Sequence, residues 1–467
     1  MVRVLRYNNG KKYAEVKMRR SFICLTLAAG ILLSSCASGN GEFPEVSYTD
    51  PVESSEPSVS SNETSETSSV IDISLALPFS DDTVDLLVRM YYAKQNDLFP
   101  EEQTGADINL DYLRALDIPW AVTNTKTSFE GVGPDVLSSW EQEGDIPDIV
   151  LVNDLASAYT DGYILSLEDH LSDSVFPSDM SVNALSACYV DGYPAGIPYY
   201  SSVMVLVGNS AYIPEEGVIS YRPTTEELTD YLNKIDSEFE VTPFADAYEL
   251  MPYIGSVFNS DQRTSFMLSE EYTKDPMSSS VICNDMRSYI DGLYDSGLSE
   301  VTAGDTKLSG EAGMWISSSG MIRVWEEYYP DGIYLSLLPS ASSGSPLYPM
   351  ADLYALCISK GTDDEEFAAD LAEFLCFDKD ALMLLYRLEP MTGYFPSVSD
   401  PRVWDLMYEQ DDYGSFEMLF EDITDDFVYC PVNGSPQYTG VMNYIASCYT
   451  EDGEEEPAPF SLEDCLS

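Results

Sequence analysis

Three short, continuous apolar runs, Ile149 to Val152, Val203 to Val207 and Leu353 to Ile358, constrain the fold more than any other feature of this chain. Runs of this kind are strands buried on both faces, as in parallel sheets flanked by helices. Amphipathic helix patterns lie between them. Ile71, Ile73, Leu75 and Leu77 alternate like a first strand, and Ser80 then caps a helix whose Val84, Leu87, Val88 and Tyr91 share one face. Thr224-x-x-Glu227 and Thr362-x-x-Glu365 have the spacing of capping boxes. They precede the stripes Leu228, Tyr231, Leu232, Ile235 and Phe367, Leu371, Phe374, Leu375. Alternating strands and helices predict an α/β class between residues 71 and 450, and that length favours two lobes over one core.

Charge excludes several functions. The 467 residues carry 22 Lys+Arg against 81 Asp+Glu, a formal net charge of −59, with a single His. Phosphate recognition needs clustered cations, so nucleic acid is not a partner, and a basic patch for anionic lipid is absent. Seven of the cations lie within residues 1–20. From Cys36 onward the balance is 15 against 80, or −65.

The basic start is followed by a 13-residue apolar run from Ser21 to Leu33, too short for a membrane span and arranged as a secretory signal, 1–35. Met18-Arg19-Arg20 is an alternative start to Met1. The run ends in Leu33-Ser34-Ser35-Cys36, which resembles the bacterial lipobox. The resemblance implies acylation of Cys36, palmitate included, and anchoring at the outer face of the cytoplasmic membrane. Residues 37–70 hold ten Ser, three Thr, three Pro and seven acids without a Lys or Arg. This composition cannot pack a core, so 36–70 is expected to be a tether reaching about 30 Å on average and at most about 110 Å. Residues 451–467 form a second acidic tail.

No catalytic constellation stands out. His170 lies in a polar turn or helix end, the His-pair zinc motifs lack a second His, and neither a Gly-x-Ser-x-Gly elbow nor a phosphate-binding glycine loop occurs. No metal, cofactor or catalytic residue is expected. Acids are so abundant that their pairing carries little information. Beyond Cys24 and Cys36 there are seven cysteines without CxxC spacing. Cys357 and Cys376 read as buried small hydrophobes, and one disulfide among the other five remains open.

Five segments in order carry a family resemblance. Asp148 to Asp154 followed by Asp161 to Asp169, the Asp191-Gly-Tyr-Pro-Ala-Gly-Ile-Pro-Tyr-Tyr200 hairpin, Gly310 to Ser317, Ile358-Ser-Lys360 with the capped helix after it, and Gly393-Tyr-Phe-Pro396 together resemble the sugar-binding, maltodextrin-binding-like group of extracytoplasmic solute-binding proteins of bacterial ABC importers. The resemblance implies a two-lobe periplasmic-binding-protein-like fold of type II, with parallel-rich sheets and a hinge. It implies an N-terminal lobe of 71–200 and 352–392 and a C-terminal lobe of 201–351 and 393–450. It also implies a monomer that grips a carbohydrate between the lobes and delivers it to permease subunits. Closure about ligand is the hinge motion that the permease reads. The charge balance favours a neutral ligand over an anionic one, unless cations such as Arg323 converge on the cleft.

Carried over by position, the residues facing the cleft would be Phe79, Ser80, Asp81, Asp154, Tyr199, Tyr200, Ser317, Ser318, Ser319, Tyr348 and Asp352. Asp81 serves equally as an acid at a helix N-terminus. Asp154 ends a buried strand, where α/β proteins bind ligands. Tyr199 and Tyr200 alternate faces, so one is assigned to the core and one to the cleft. Trp315 is assigned to the core. Gly320 stands where relatives carry a stacking Trp, Ser201-Ser202 replaces an acid, and Gly208-Asn209 replaces Tyr-Asn, departures that point to a different or smaller ligand. A surface adhesin or a carboxylate-dependent glycan hydrolase is the alternative.

Overall fold

The computed structural model describes residues 71–171, 177–251, 281–301, 305–329, 331–342, 349–410, 427–430 and 440. The signal, Cys36, the tether, Tyr348 and the acidic tail lie outside them. The described residues all belong to one compact unit, Ser68–Ser467.

The α/β class is realised as a two-lobe architecture. β1 (Ile71–Ala76), β2 (Trp120–Asn124) and β3 (Ile149–Val152) form a parallel ladder in the order β2-β1-β3. β11 (Met350–Ile358) adds antiparallel to β3, and β6 (Ile197–Asn209) adds antiparallel to β11. Beyond β6 come β9 (Ala312–Ser318), β7 (Thr242–Ala245) and β8 (Ser299–Glu300), with β7 parallel to both of its neighbours. β10 (Ile333–Leu337) and β12 (Tyr394–Pro396) also pair with β6, and β13 (Val428–Cys430) pairs parallel to β11. A separate hairpin joins β4 (Tyr189–Val190) to β5 (Tyr193–Pro194). Parallel ladders therefore sit at both ends, and the long strands that connect them run antiparallel.

β6 explains how two cores share one sheet. All thirteen of its residues are buried. Val203, Val205 and Val207 belong to the larger apolar cluster, and Met204 and Leu206 to the smaller one with Leu228, Leu232, Ile235, Phe244 and Met314. The alternation of side chains along a strand places these two sets on opposite faces. Each such apolar side chain contributes roughly 2 kcal/mol on burial, so β6 is anchored from both sides. The segment from β12 onward, grouped with the second lobe in the sequence division, contributes Phe395, Val398, Val403 and Trp404 to the larger cluster.

Local signals place the helices. Ser80 caps the helix Asp81–Gln95, accepting from the Thr83 N–H, and Val84, Leu87, Val88 and Tyr91 are buried as their spacing predicts. Thr224 and Glu227 form a complete capping box before Thr225–Glu238. The second expected box is not formed. The helix Glu365–Phe377 is capped by Asp364, whose side chain accepts from the Phe367 N–H, while the Thr362 hydroxyl donates to the Ser359 carbonyl. An Asp is at least as good a cap as Thr and starts the helix two residues later. Cys188, Cys357, Cys376 and Cys430 are buried. No described helix is long and apolar enough to cross a membrane.

Candidate functional site at the strand crossing

β6 changes partners at its middle. Tyr200, Ser201 and Ser202 pair with β12 and β11, whereas Met204 pairs with Ser318 at the end of β9. The change is tied by one hydroxyl: the Ser319 Oγ accepts from the Val203 N–H at 2.8 Å and donates to the Gly393 carbonyl at 2.5 Å. Gly393 has φ +83°, and a Cβ there would lie 2.0 Å from the Ser319 carbonyl oxygen. The two chain segments approach this closely only because residue 393 has no side chain.

Aromatic side chains from five segments converge at this crossing. Phe79 follows β1, Phe129 follows β2, Tyr199 and Tyr200 belong to β6, Tyr354 to β11 and Tyr394 to β12. Phe129 and Tyr394 stack with centroids 5.2 Å apart and an interplanar angle of 23°. Tyr200 packs against Tyr354 at 5.4 Å and Tyr394 at 5.3 Å, and Phe79 meets both Phe129 and Tyr199 edge-on. The Tyr200 hydroxyl donates to the Phe129 carbonyl at 2.8 Å, pinning the loop after β2 to the crossing. A Cβ on Gly320 would come within 2.5 Å of the Tyr394 ring. The volume that a side chain at 320 would need is therefore taken by Tyr394.

Two acids join this cluster. Asp352 on β11 is 6% exposed, and its Oδ1 has no hydrogen-bond partner among the described residues. Burial, and then the charge of Glu130, push its carboxyl up to about 7. Glu130 is exposed to solvent, yet partial desolvation by the surrounding protein raises its carboxyl too. Neither acid has an ion pair among the described residues. Tyr354 and Tyr394, whose phenols are held up chiefly by burial, also feel both charges.

The expected site residues divide accordingly. Phe79, Tyr199, Tyr200, Ser319 and Asp352 meet at the crossing. The division of the tyrosine pair into one core and one cleft residue is corrected: both are about 1% exposed, because β11 and β12 pair along the two edges of β6, Tyr199 packs against Phe79, and Tyr200 packs between Tyr354 and Tyr394 with its hydroxyl on the Phe129 carbonyl. Asp154 is fully buried and caps the helix Leu155–Thr160, its Oδ1 accepting from the Ser157 N–H while its Oδ2 has no partner among the described residues. Ser80 is exposed but committed to its cap, with its N–H donating to the Glu389 carboxylate at 2.9 Å. Asp81 is exposed in the first helical turn. The Ser317 Oγ accepts from the Trp325 indole N–H at 2.7 Å, and Ser318 caps the turn after β9. Trp315 is fully buried and stacks on Tyr329, and Arg323 is exposed on the helix Ile322–Tyr328.

Phe129, Glu130, Tyr354 and Tyr394 were not singled out from the sequence. Tyr394 lay within the Gly393-Tyr-Phe-Pro396 segment, and Tyr354 shares a face with Asp352 two residues away. Nothing in the sequence around Phe129 and Glu130 marks them. Among the described residues, no group of three His, Cys, Asp or Glu could hold a metal ion.

No protein-family model matches the chain, and no curated protein does. Solved structures do. The cyclic alpha-maltosyl-1,6-maltose binding protein from Arthrobacter globiformis is 15% identical with a TM-score of 0.59, over 85% of this chain and 96% of its own. The sugar-binding protein MalE from Xanthomonas citri is 13% identical with a TM-score of 0.59, over 85% and 95%. The fold is that of the two-lobe solute-binding proteins. An ABC substrate-binding protein from Listeria monocytogenes, in complex with cycloalternan, is 14% identical with a TM-score of 0.55, over 85% and 96%. These similar structures belong to binding proteins rather than enzymes. The aromatic and acidic cluster lies on β6, β11 and β12 and on the loops after β1 and β2.

Proposed function

We propose that this protein captures a small carbohydrate in the cleft at the strand crossing and delivers it to the permease of an ABC importer. The observation that carries this reading is the pair of acids without ion pairs among the described residues, Asp352 and Glu130, set with the half-buried Phe129 beside the buried rings of Tyr200, Tyr354 and Tyr394 where β6 changes partners. Aromatic faces suit the C–H faces of sugar rings, and carboxylates accept hydrogen bonds from hydroxyls. Proteins of similar fold have been solved with cycloalternan, acarbose and mannobiose bound, which supports a carbohydrate. Ser80, Asp81, Asp154, Ser317, Ser318 and Tyr348 belong to the same proposal as further cleft residues. So do the lobe boundaries at 200/201, 351/352 and 392/393, the first two of which cut within β6 and β11, and lipid anchoring through Cys36 at the outer face of the membrane.

A panel of mono- and oligosaccharides followed by thermal unfolding tests this. One or more sugars are expected to raise the melting temperature in a saturable way, by about 3 kcal/mol of linkage at a hundredfold excess over Kd, and to be recovered unchanged. The absence of any shift across the panel contradicts the reading. Asp352 alone favours a second one, a glycan hydrolase, since an acid held near neutrality can donate a proton. Shorter sugars appearing with the wild type but not with Asp352→Asn would establish it instead.

A further inference from the structure

The cleft contains an electrostatic imbalance that a neutral sugar leaves in place. Asp352 is buried, its Oδ1 lacks a donor among the described residues, and the charge that acts on it is that of a second acid, Glu130. Among the described residues the groups around this pair are uncharged: Tyr200 from β6 and Ser202 opposite Asp352 on the same strand, Tyr354 from β11, Tyr394 from β12, Phe129 from the loop after β2, and Cys430, opposite Asp352 in the β13 register. The Tyr200 hydroxyl is spent on the Phe129 carbonyl, and the Tyr354 hydroxyl is paired with the Ser202 hydroxyl at 3.1 Å. No Lys, Arg or His among the described residues forms an ion pair with either acid.

A buried carboxylate without a counter-ion is strongly disfavoured and must take up a proton or a cation. A sugar hydroxyl supplies one donor to Asp352 and leaves the two acids repelling each other. An ammonium supplies three donors and a full positive charge, and electron-rich ring faces add to its attraction. The charge of the chain from Cys36 onward, −65, also raises the local concentration of cations. We propose that the ligand of this cleft is an amine-bearing sugar whose ammonium is held between the carboxylates of Asp352 and Glu130. This rests on the carbohydrate reading above and narrows it to a cationic class.

The test uses the full chain and matched probes: glucose, galactose and cellobiose against glucosamine, galactosamine and the fully deacetylated chitosan disaccharide, with the N-acetylated form of each amine as a third member. Calorimetric titration is expected to show at least one amine bound about tenfold or more tightly than its neutral and acetylated counterparts. At about pH 6.5 that binding releases protons, read as a heat that depends on buffer ionisation, because the ammonium displaces the proton of Asp352. Glu130→Gln narrows the preference, and Asp352→Asn, with folding verified by its unfolding transition, removes it. If neutral sugars bind as tightly as their amines, the cationic assignment is overturned and the carbohydrate reading stands. If no member of any set binds, the carbohydrate reading falls and the cationic assignment falls with it.

Discussion

Asp352→Asn stabilises the ligand-free protein, and the gain grows as the pH rises. The folded state holds this carboxyl near 7, far above its ordinary value of 3.8. Between these values the unfolded chain releases the proton while the folded protein keeps it, so the unfolded state binds fewer protons and stability falls with rising pH. The penalty is absent below about pH 4, accumulates up to about pH 7 and is complete above it, where it is on the order of 4 kcal/mol. Asn has the shape of the protonated acid and carries no such penalty. A melting temperature about 5 °C higher than wild type is expected at about pH 8, with roughly a third of that gain at about pH 5. An equal gain at both values, or a loss at the higher one, would mean that Asp352 has a stabilising partner in the folded state.

Gly393→Ala damages the crossing itself. Residue 393 has φ +83°, and its added methyl would stand 2.0 Å from the Ser319 carbonyl oxygen and 3.1 Å from the Gly320 nitrogen. Both neighbours are backbone, so no side chain can rotate away. Relief requires the Ser319–Gly320 turn to move, which breaks the Ser319 hydroxyl's bonds to Val203 and Gly393 and shifts Tyr394 off Gly320. Strain and lost contacts together cost on the order of 3 kcal/mol. Denaturant unfolding should show a lower midpoint with an unchanged slope, and sugar affinity should fall with it. A variant as stable as wild type would show that the turn adapts freely.

The parts of this molecule set by local chemistry were legible in the sequence. Ser80 and Thr224 cap helices because the needed oxygen is three residues from its N–H, and Ile149–Val152 is a strand because four buried apolar residues leave it no polar face. Where two caps compete locally, as Thr362 and Asp364 do, spacing alone chose the wrong one. β6 was visible only as Val203–Val207. Its first half, with Pro198, two tyrosines and two serines, is buried by β11 and β12, partners 150 or more residues away in the chain. The site followed the same division. Asp352 and the Tyr199–Tyr200 pair came from a recognisable segment order, whereas Phe129 and Glu130 reach the crossing through the Tyr200 hydroxyl, a contact 71 positions distant that no periodicity encodes.

The central claim is that a sugar occupies the recess between Glu130 and the crossing, and a single cysteine can report on it. Glu130→Cys places an accessible thiol at the mouth, while Cys188, Cys357, Cys376 and Cys430 are buried; wild-type labelling supplies the background. Maleimide modification of this variant is followed with and without the sugar that gives the largest thermal shift. Saturating sugar is expected to slow the reaction at position 130 by about tenfold or more, with a concentration dependence that matches binding. An unchanged labelling rate while the same sugar is bound would place the ligand elsewhere and contradict the account.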